Sequence, residues 1–386
     1  MRYCRGRQFR TVLRNRNVPS ERSTAMNPDF PCTAVSRSAE PARAQRCRFQ
    51  SLLVGVLLLP WLLGCARDVP SYRIQGQVFG TSVEITFHGE SEARARALGA
   101  QVMAEFNRLH NRYHAWQPSA LTDLNDRIAR GEPYPGDAEM VYLLKAAASL
   151  AERSDNTFNP AIGHLIRAWG FHGERADDWV PDPAHVRRWL DANPRMSDLR
   201  YDGNRISSSN PAVMLDFGGW VKGYALDRAA LIVRAAGVKA ALINVGGNIL
   251  AMGRPGARPW RVGIQNPRSE GTVAWIALHD GEAIGTSGDY RRYFLHNGER
   301  RPHIIDPASG EPVYRVASVT VLVAGGDAPG LRSDGYSKPL FVADPGQWQD
   351  MAARLGLAEV LLIDVHGNVY TTPAMQARIA AATRVP

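Results

Sequence analysis

Five short stretches cluster glycine, aspartate, histidine or lysine where strands would end, and those residue types suit work on a phosphorylated ligand. In Leu215–Ala225 an apolar stretch runs into Gly218-Gly219 and then a helix start carrying Lys222. Such a junction offers backbone N–H groups to an anion, the glycines admit a phosphate close to the chain, and the lysine adds a point charge. The GxxxxGK[ST] spacing of a P-loop is absent. Asn244–Asn248 holds Gly246-Gly247, which suits a turn of positive φ or a close backbone approach to a ligand. Thr286–Tyr293 offers Ser287 and Asp289, and His303–Gly310 opens on His303 before a β-branched stretch that ends at Asp306-Pro307. Histidine there is either structural or, beside a phosphate or carboxylate, catalytic. In Arg332–Pro339, Ser333 is placed to cap a helix, with Asp334 exposed in its first turn where the dipole favours an acid. The alternative for Asp334 is a carboxylate ligand to a hard cation. Taken singly, each stretch is also an ordinary turn or cap.

The elements that must position these groups are legible in part. Val83, Ile85 and Phe87 alternate with polar residues, as in a half-buried strand. Leu98, Val102, Phe106, Leu109 and Tyr113 recur at helical spacing. Ser119 caps a short helix, Asp137 starts another, and Asn159-Pro160 reads as the cap and first residue of a third. Beyond about residue 199 the pattern predicts strands over Val213–Phe217, Ala240–Val245, Arg261–Gln265, Val273–Leu278, Ala317–Ala324 and Val360–Asp364. Helices are predicted over Lys222–Ala236, Ser333–Phe341 and Gln347–Leu355. This order is no strict βαβ alternation, so the expected class is α+β, with mixed or antiparallel sheets and flanking helices.

The five stretches stand in a fixed order that resembles the ApbE family of flavin transferases. The resemblance runs from Phe79-Gly80-Thr81 to the C-terminus. It includes Ser119–Asn125 (similar to S-x-L-x-x-L-N), Phe158-Asn159-Pro160 (similar to F-D-P) and Trp169-Gly170-Phe171. The elements D-x-x-G-x-x-K-G-Y-x-x-D, N-x-G-G, T-S-G-D-Y-R and H-I-I-D-P-x-[ST]-G follow in order. The resemblance implies an FAD-binding, T-fold-related α+β domain and a magnesium-dependent transfer of FMN from FAD to a Thr or Ser hydroxyl of an exported redox protein, with release of AMP. Some relatives hydrolyse FAD to FMN and AMP instead, and a flavin-binding protein without turnover is a third reading.

The same resemblance assigns roles residue by residue. Asp334 would give the metal a carboxylate, Gly219 a backbone carbonyl, and Ser337 a hydroxyl. Lys222 would lie by the phosphates and His303 beside the attacked phosphorus. Asn125 would lie near the metal and diphosphate, and Trp116 would stack on the flavin. Gly246, Gly247, Ser287 and Asp289 would contact cofactor or substrate. One departure bears on the metal. Many relatives read D-A-L-S-T, whereas here the segment is Asp334-Gly335-Tyr336-Ser337-Lys338. A protonated lysine has no lone pair for a metal, so either Lys338 supplies part of the cation's charge or Ser337 takes over as ligand. Asn159 stands where an acid is common and serves as a helix cap.

Composition bounds the rest. The net charge of +9 looks like a nucleic-acid signal, but eleven arginines and three acids lie in residues 1–64, so eight of the nine charges belong there. A nearly neutral remainder excludes nucleic acid as the partner. Arg43, Arg46 and Arg48 precede an apolar run from Ser51 to Leu63, too short for an ordinary membrane span and suited to a secretory leader. It ends in Leu62-Leu63-Gly64-Cys65, which resembles a bacterial lipobox with Cys65 as the lipidated mature N-terminus. The expected organisation is a leader over 1–64 (with Met26 a candidate true start), a tether over 65–72 and one domain over 73–386. Cys4, Cys32, Cys47 and Cys65 are the only cysteines, so the expected mature domain has no thiol for a disulfide, a thiolate metal site or a nucleophile. Since Ala66 rather than aspartate follows the lipobox, the expected location is the periplasmic face of the outer membrane, or the outer face of the cytoplasmic membrane in a host with one membrane.

Overall fold

The computed structural model describes residues 69–173 and 178–383. The leader, Met26 and Cys65 lie outside the described residues. Eight strands form one sheet in the order β1-β2-β6-β7-β10-β13-β14-β15, with every neighbour antiparallel. They are β1 (Ser71–Val78), β2 (Thr81–His88), β6 (Ala240–Val245), β7 (Asn248–Met252), β10 (Ala283–Gly288), β13 (Val316–Val323), β14 (Glu359–Asp364) and β15 (Val369–Thr371). Ser71 and Tyr72, read as tether, open β1.

Burial explains the order. All eight residues of β13, VASVTVLV, are buried, as a central strand covered on both faces requires. Strand β1 alternates exposed with half-buried residues and lies at one edge, while Val83, Ile85 and Phe87 of β2 point into the core. One face is covered by helices α1 (Glu92–Arg112), α6 (Val221–Ala235) and α7 (Pro329–Val342). The other is covered by the ribbon β8 (Trp260–Gln265) and β9 (Thr272–Leu278) with the C-terminal helix α9 (Pro373–Thr383).

The smaller elements follow local chemistry. Ser91 caps α1 by accepting from the Arg94 amide. Ser119 and Thr122 form a reciprocal capping box on α2 (Ala120–Ala129), and Asp137 caps α3 (Ala138–Arg153). The turn Gly246-Gly247 joins β6 to β7 with φ of 61° and 95°, the double positive φ of a tight hairpin turn. A small sheet of β3 (Tyr134–Pro135), β4 (Leu199–Asp202) and β5 (Arg205–Ser208) is separate, as is a two-stranded ribbon, β11 (Tyr293–His296) and β12 (Glu299–Pro302), inserted between β10 and β13; α5 (Pro183–Ala192) and α8 (Trp348–Leu355) are short helices.

Three expectations are corrected. Val213–Phe217 is a loop, not a strand. Its backbone pairs with another loop, through Gly163 N–H to the Met214 carbonyl (2.7 Å) and Asp216 N–H to the Pro160 carbonyl (2.9 Å). Asn159-Pro160 does not start a helix. Asn159 accepts from the Ala161 amide and donates to the Pro194 carbonyl, and the short helix α4 begins at Gly163 (Gly163–Ala168). Ser333 is not a cap, because α7 starts at Pro329, which puts Asp334 in the helix body with no exposed surface.

Two glycines bring the chemical segments together. Gly223 of α6 and Gly330 of α7 face each other, and a Cβ on Gly330 would stand 2.5 Å from the Gly223 carbonyl oxygen. No side chain fits at this crossing, so the helices meet backbone to backbone. Asp227 fastens it, accepting from the Gly330 and Leu331 amides at 2.8 Å each. Lys222 and Asp334 therefore share one floor.

Candidate active site

A cavity of about 940 Å³ opens where α6 and α7 cross, within the range of small-molecule sites. Its floor is made by Gly218, Gly219, Lys222, Asp334 and Lys338, and its wall by Trp116, Phe171, Arg291, Arg292 and His303. Phe79-Gly80-Thr81, Gly246 and Ser287 also line it.

The floor is an ion pair with spare donors. Lys338 Nζ donates to Asp334 Oδ1 and, at 2.8 Å, to the Asp334 carbonyl. Asp334 Oδ2 accepts from the Gly223 amide at 2.9 Å. Burial works against the Asp334 carboxylate, but Lys338, Lys222 and the Gly223 amide outweigh it and hold the carboxyl below the usual aspartate range. Burial likewise lowers Lys338, to about 8, against the pull of Asp334. Lys222 Nζ donates to the Gly218 carbonyl at 2.6 Å.

A second buried pair braces the glycine loop. Asp216 accepts from the Gly218 amide at 2.7 Å and bonds His172 Nε2 at 3.0 Å. Burial opposes its charge, yet His172, Gly218 and Arg292 keep its carboxyl below the usual range. His172 stacks on Trp116, with ring centres 4.7 Å apart, and the Arg292 guanidinium lies 5.2 Å from the Trp116 centre.

His303 is fixed in one tautomer. Its Nδ1 lies 3.1 Å from the Arg292 carbonyl. A carbonyl only accepts, so Nδ1 carries the proton and Nε2 keeps a lone pair. Enclosure, then Arg292 and Lys222, push its pKa down to about 3, so the free imidazole is neutral. The arrangement can bind an anionic group on the floor and accept a proton at the wall.

The ordered segments around this cavity are those of a known family. The sequence pattern of the ApbE family matches residues 79–362. The chain belongs to the ApbE family. It is 38% identical over 352 residues to an FAD:protein FMN transferase of Rhodobacter capsulatus, covering 90% of this chain and 66% of that protein. It is 30% identical over 333 residues to one of Klebsiella pneumoniae, covering 82% and 92%. The crystal structure of the ApbE protein of Thermotoga maritima superposes with a TM-score of 0.73 at 28% identity, covering 80% of this chain and 99% of that one. The apo flavinyl transferase ApbE of Pseudomonas stutzeri gives 0.70 at 29%, covering 81% and 98%. The α+β class read from the sequence is thus that of the solved ApbE structures.

Within this ApbE fold, Trp116, Gly219, Lys222, Gly246, Ser287, His303 and Asp334 reach the cavity. Asn125, Gly247, Asp289 and Ser337 are not among its lining residues. Asn125 clamps the loop before the floor, accepting from the Leu215 amide (2.7 Å) and donating to the Leu215 carbonyl (2.9 Å). Gly247 is spent on the β6–β7 turn. Asp289 is buried in a double hydrogen bond to Arg268, at 2.7 and 2.6 Å. Ser337 lies behind the floor, bonded to Ser287 Oγ and to the Asp334 carbonyl at 2.7 Å each. His172, Asp216 and Arg292 were not singled out from sequence, although His172 directly follows Trp169-Gly170-Phe171 and Arg292 lies inside the Thr286–Tyr293 stretch.

The floor does not fit a hard divalent cation. An ammonium already holds Asp334 Oδ1, and an amide holds Oδ2. The Ser337 hydroxyl is committed elsewhere. Among the described residues, no three His, Cys, Asp or Glu side chains converge as a metal cage.

Proposed function

We propose that this chain transfers FMN from FAD to a hydroxyl of an acceptor protein. The observation that carries the reading is one cavity lined both by the Lys222 and Lys338 ammonium groups and by His303, whose Nε2 can take a proton. The names of the ApbE relatives support the same substrate and acceptor class. The diphosphate would lie over Gly218-Gly219, Lys222 and Lys338, with the flavin toward Trp116. The acceptor Thr or Ser oxygen attacks the phosphorus bearing riboflavin. A new P–O bond forms, the bond to the bridging oxygen breaks, and AMP leaves with that oxygen. The hydroxyl proton passes to His303 Nε2.

Incubation with FAD, with and without a periplasmic flavoprotein acceptor, tests this. AMP release that rises with acceptor, together with a covalent FMN adduct, is expected. AMP release with FMN left free in every mixture would make the chain a hydrolase, and absence of AMP throughout would reject turnover.

The same proposal places the protein outside the cytoplasmic membrane, anchored by lipid at Cys65. Cys65→Ala is expected to release it from the membrane fraction of its native host. Wild-type protein recovered there wholly as a soluble, unlipidated form would refute the anchor.

A further inference from the structure

We infer that Lys338 replaces a bound divalent cation, so that the cavity holds the diphosphate of its substrate with side-chain ammonium groups alone. The inference deepens the proposed function and rests on its assignment of FAD to this cavity.

Geometry carries the argument. An ammonium has three N–H donors. Lys338 spends two on Asp334 and has one left for a cavity ligand. Lys222 spends one on the Gly218 carbonyl and has two left. Both side chains line the cavity. The Asp334 carboxylate, the one buried acid of the floor, has its charge paired by the Lys338 ammonium at Oδ1 and accepts from the Gly223 amide at Oδ2. A divalent ion there would have to displace the ammonium and then sit beside it, which like-charge repulsion disfavours.

Charge gives the second, independent reason. The lining carries four fixed cations, Lys222, Arg291, Arg292 and Lys338, against two carboxylates, Asp216 and Asp334. The surplus of two positive charges matches an ionised diphosphate diester without a metal. Lys338 is also held in place. Its stem passes Gly219, where a Cβ would stand 3.2 Å from Lys338 Cε, so the bare glycine leaves the lysine room to reach the floor.

The test compares wild type, Lys338→Thr and Asp334→Asn. FAD binding is followed by flavin fluorescence in EDTA and in magnesium. Wild type is expected to bind FAD equally well in both. Lys338→Thr is expected to lose about 10- to 100-fold in EDTA, the range for one charged hydrogen bond. It should recover most of that in magnesium, because Asp334 is then free to take the ion. FAD binding by wild type that requires magnesium, or Lys338→Thr curves identical to wild type, would overturn the inference. Calorimetric titration with magnesium alone separates this from the substrate assignment. Uptake by Lys338→Thr but not by wild type supports Lys338 as the cation whichever nucleotide binds. Uptake by wild type that disappears in Asp334→Asn overturns it, and this arm decides even if the threonine variant does not fold. FAD failing to bind in any condition would sink the proposed substrate while the magnesium titration still judged Lys338.

Discussion

Asp334→Ala lowers the melting temperature by roughly 4–5 °C, the shift expected for about 3 kcal/mol in a domain of roughly 300 residues. Read from sequence as an exposed residue in a helix's first turn, this aspartate would cost at most about 1 kcal/mol to remove. The structure reverses that expectation, because Asp334 is wholly buried and carries the floor. Its removal leaves the Lys338 ammonium without its carboxylate and the Gly223 amide without an acceptor. The loss stays at the lower end for a broken buried pair because Lys338 can turn into the cavity or give up its proton. The sign with pH is fixed. The folded-state carboxyl is held below its ordinary value, so its contribution is present above that value and fades as pH falls below it. The gap between wild type and variant should therefore shrink in acid. Thermal unfolding at neutral and acid pH checks this, and an unchanged melting temperature at neutral pH would reject the floor as described.

His303→Ala leaves the fold intact but slows AMP release by about 10² to 10⁴-fold, the usual contribution of a positioned acid–base group. The side chain is half-buried, and among the described residues it bonds the Arg292 carbonyl alone. Little structure depends on it. Its depressed pKa gives a second signature. In the free protein it is already neutral, so kcat/KM should show no inflection from His303 near the ordinary histidine value of about 6.5. An anion on the floor opposes the repulsion by Arg292 and Lys222 and raises the imidazole's basicity when the reaction needs it. Single-turnover AMP release at several pH values measures both. A variant as fast as wild type would remove His303 from the reaction.

What the sequence allowed and what it hid divide by range. Local patterns were legible: the alternation of β2, the helical spacing of α1, and the caps Ser119 and Asp137 all appear in the structure. Short motifs also mark Lys222, His303 and Asp334, and the fold brings all three to one cavity. The partners across the chain were not. Asp289 pairs with Arg268 and Asn125 with the Leu215 backbone, contacts that no local pattern announces. The start of α7 was misplaced because Gly330, Gly335 and Pro339 are poor helix formers and Ser333 imitates a cap. A helix buried on nearly every side takes its stability from packing, so propensity misleads there. Val213–Phe217 looked like a strand because a loop paired to another loop buries the same apolar residues.

The β11–β12 ribbon separates reach from reaction. Arg292 and His303 stand at its root, joined by the His303 amide to the Arg292 carbonyl, with a 3.2 Å bond that extends the ladder. The tip is Asn297-Gly298, both at positive φ, five residues from Arg292 and on the order of 17 Å away along an extended strand. A charge change at Gly298 is therefore expected to leave the imidazole where it is. The root is fixed by Arg292 and His303 in the cavity wall, and the tip by Asp178, which accepts from the Asn297 amide at 2.8 Å and gives its own amide to the Leu295 carbonyl at 2.6 Å, so the two ends of the ribbon answer to different neighbours.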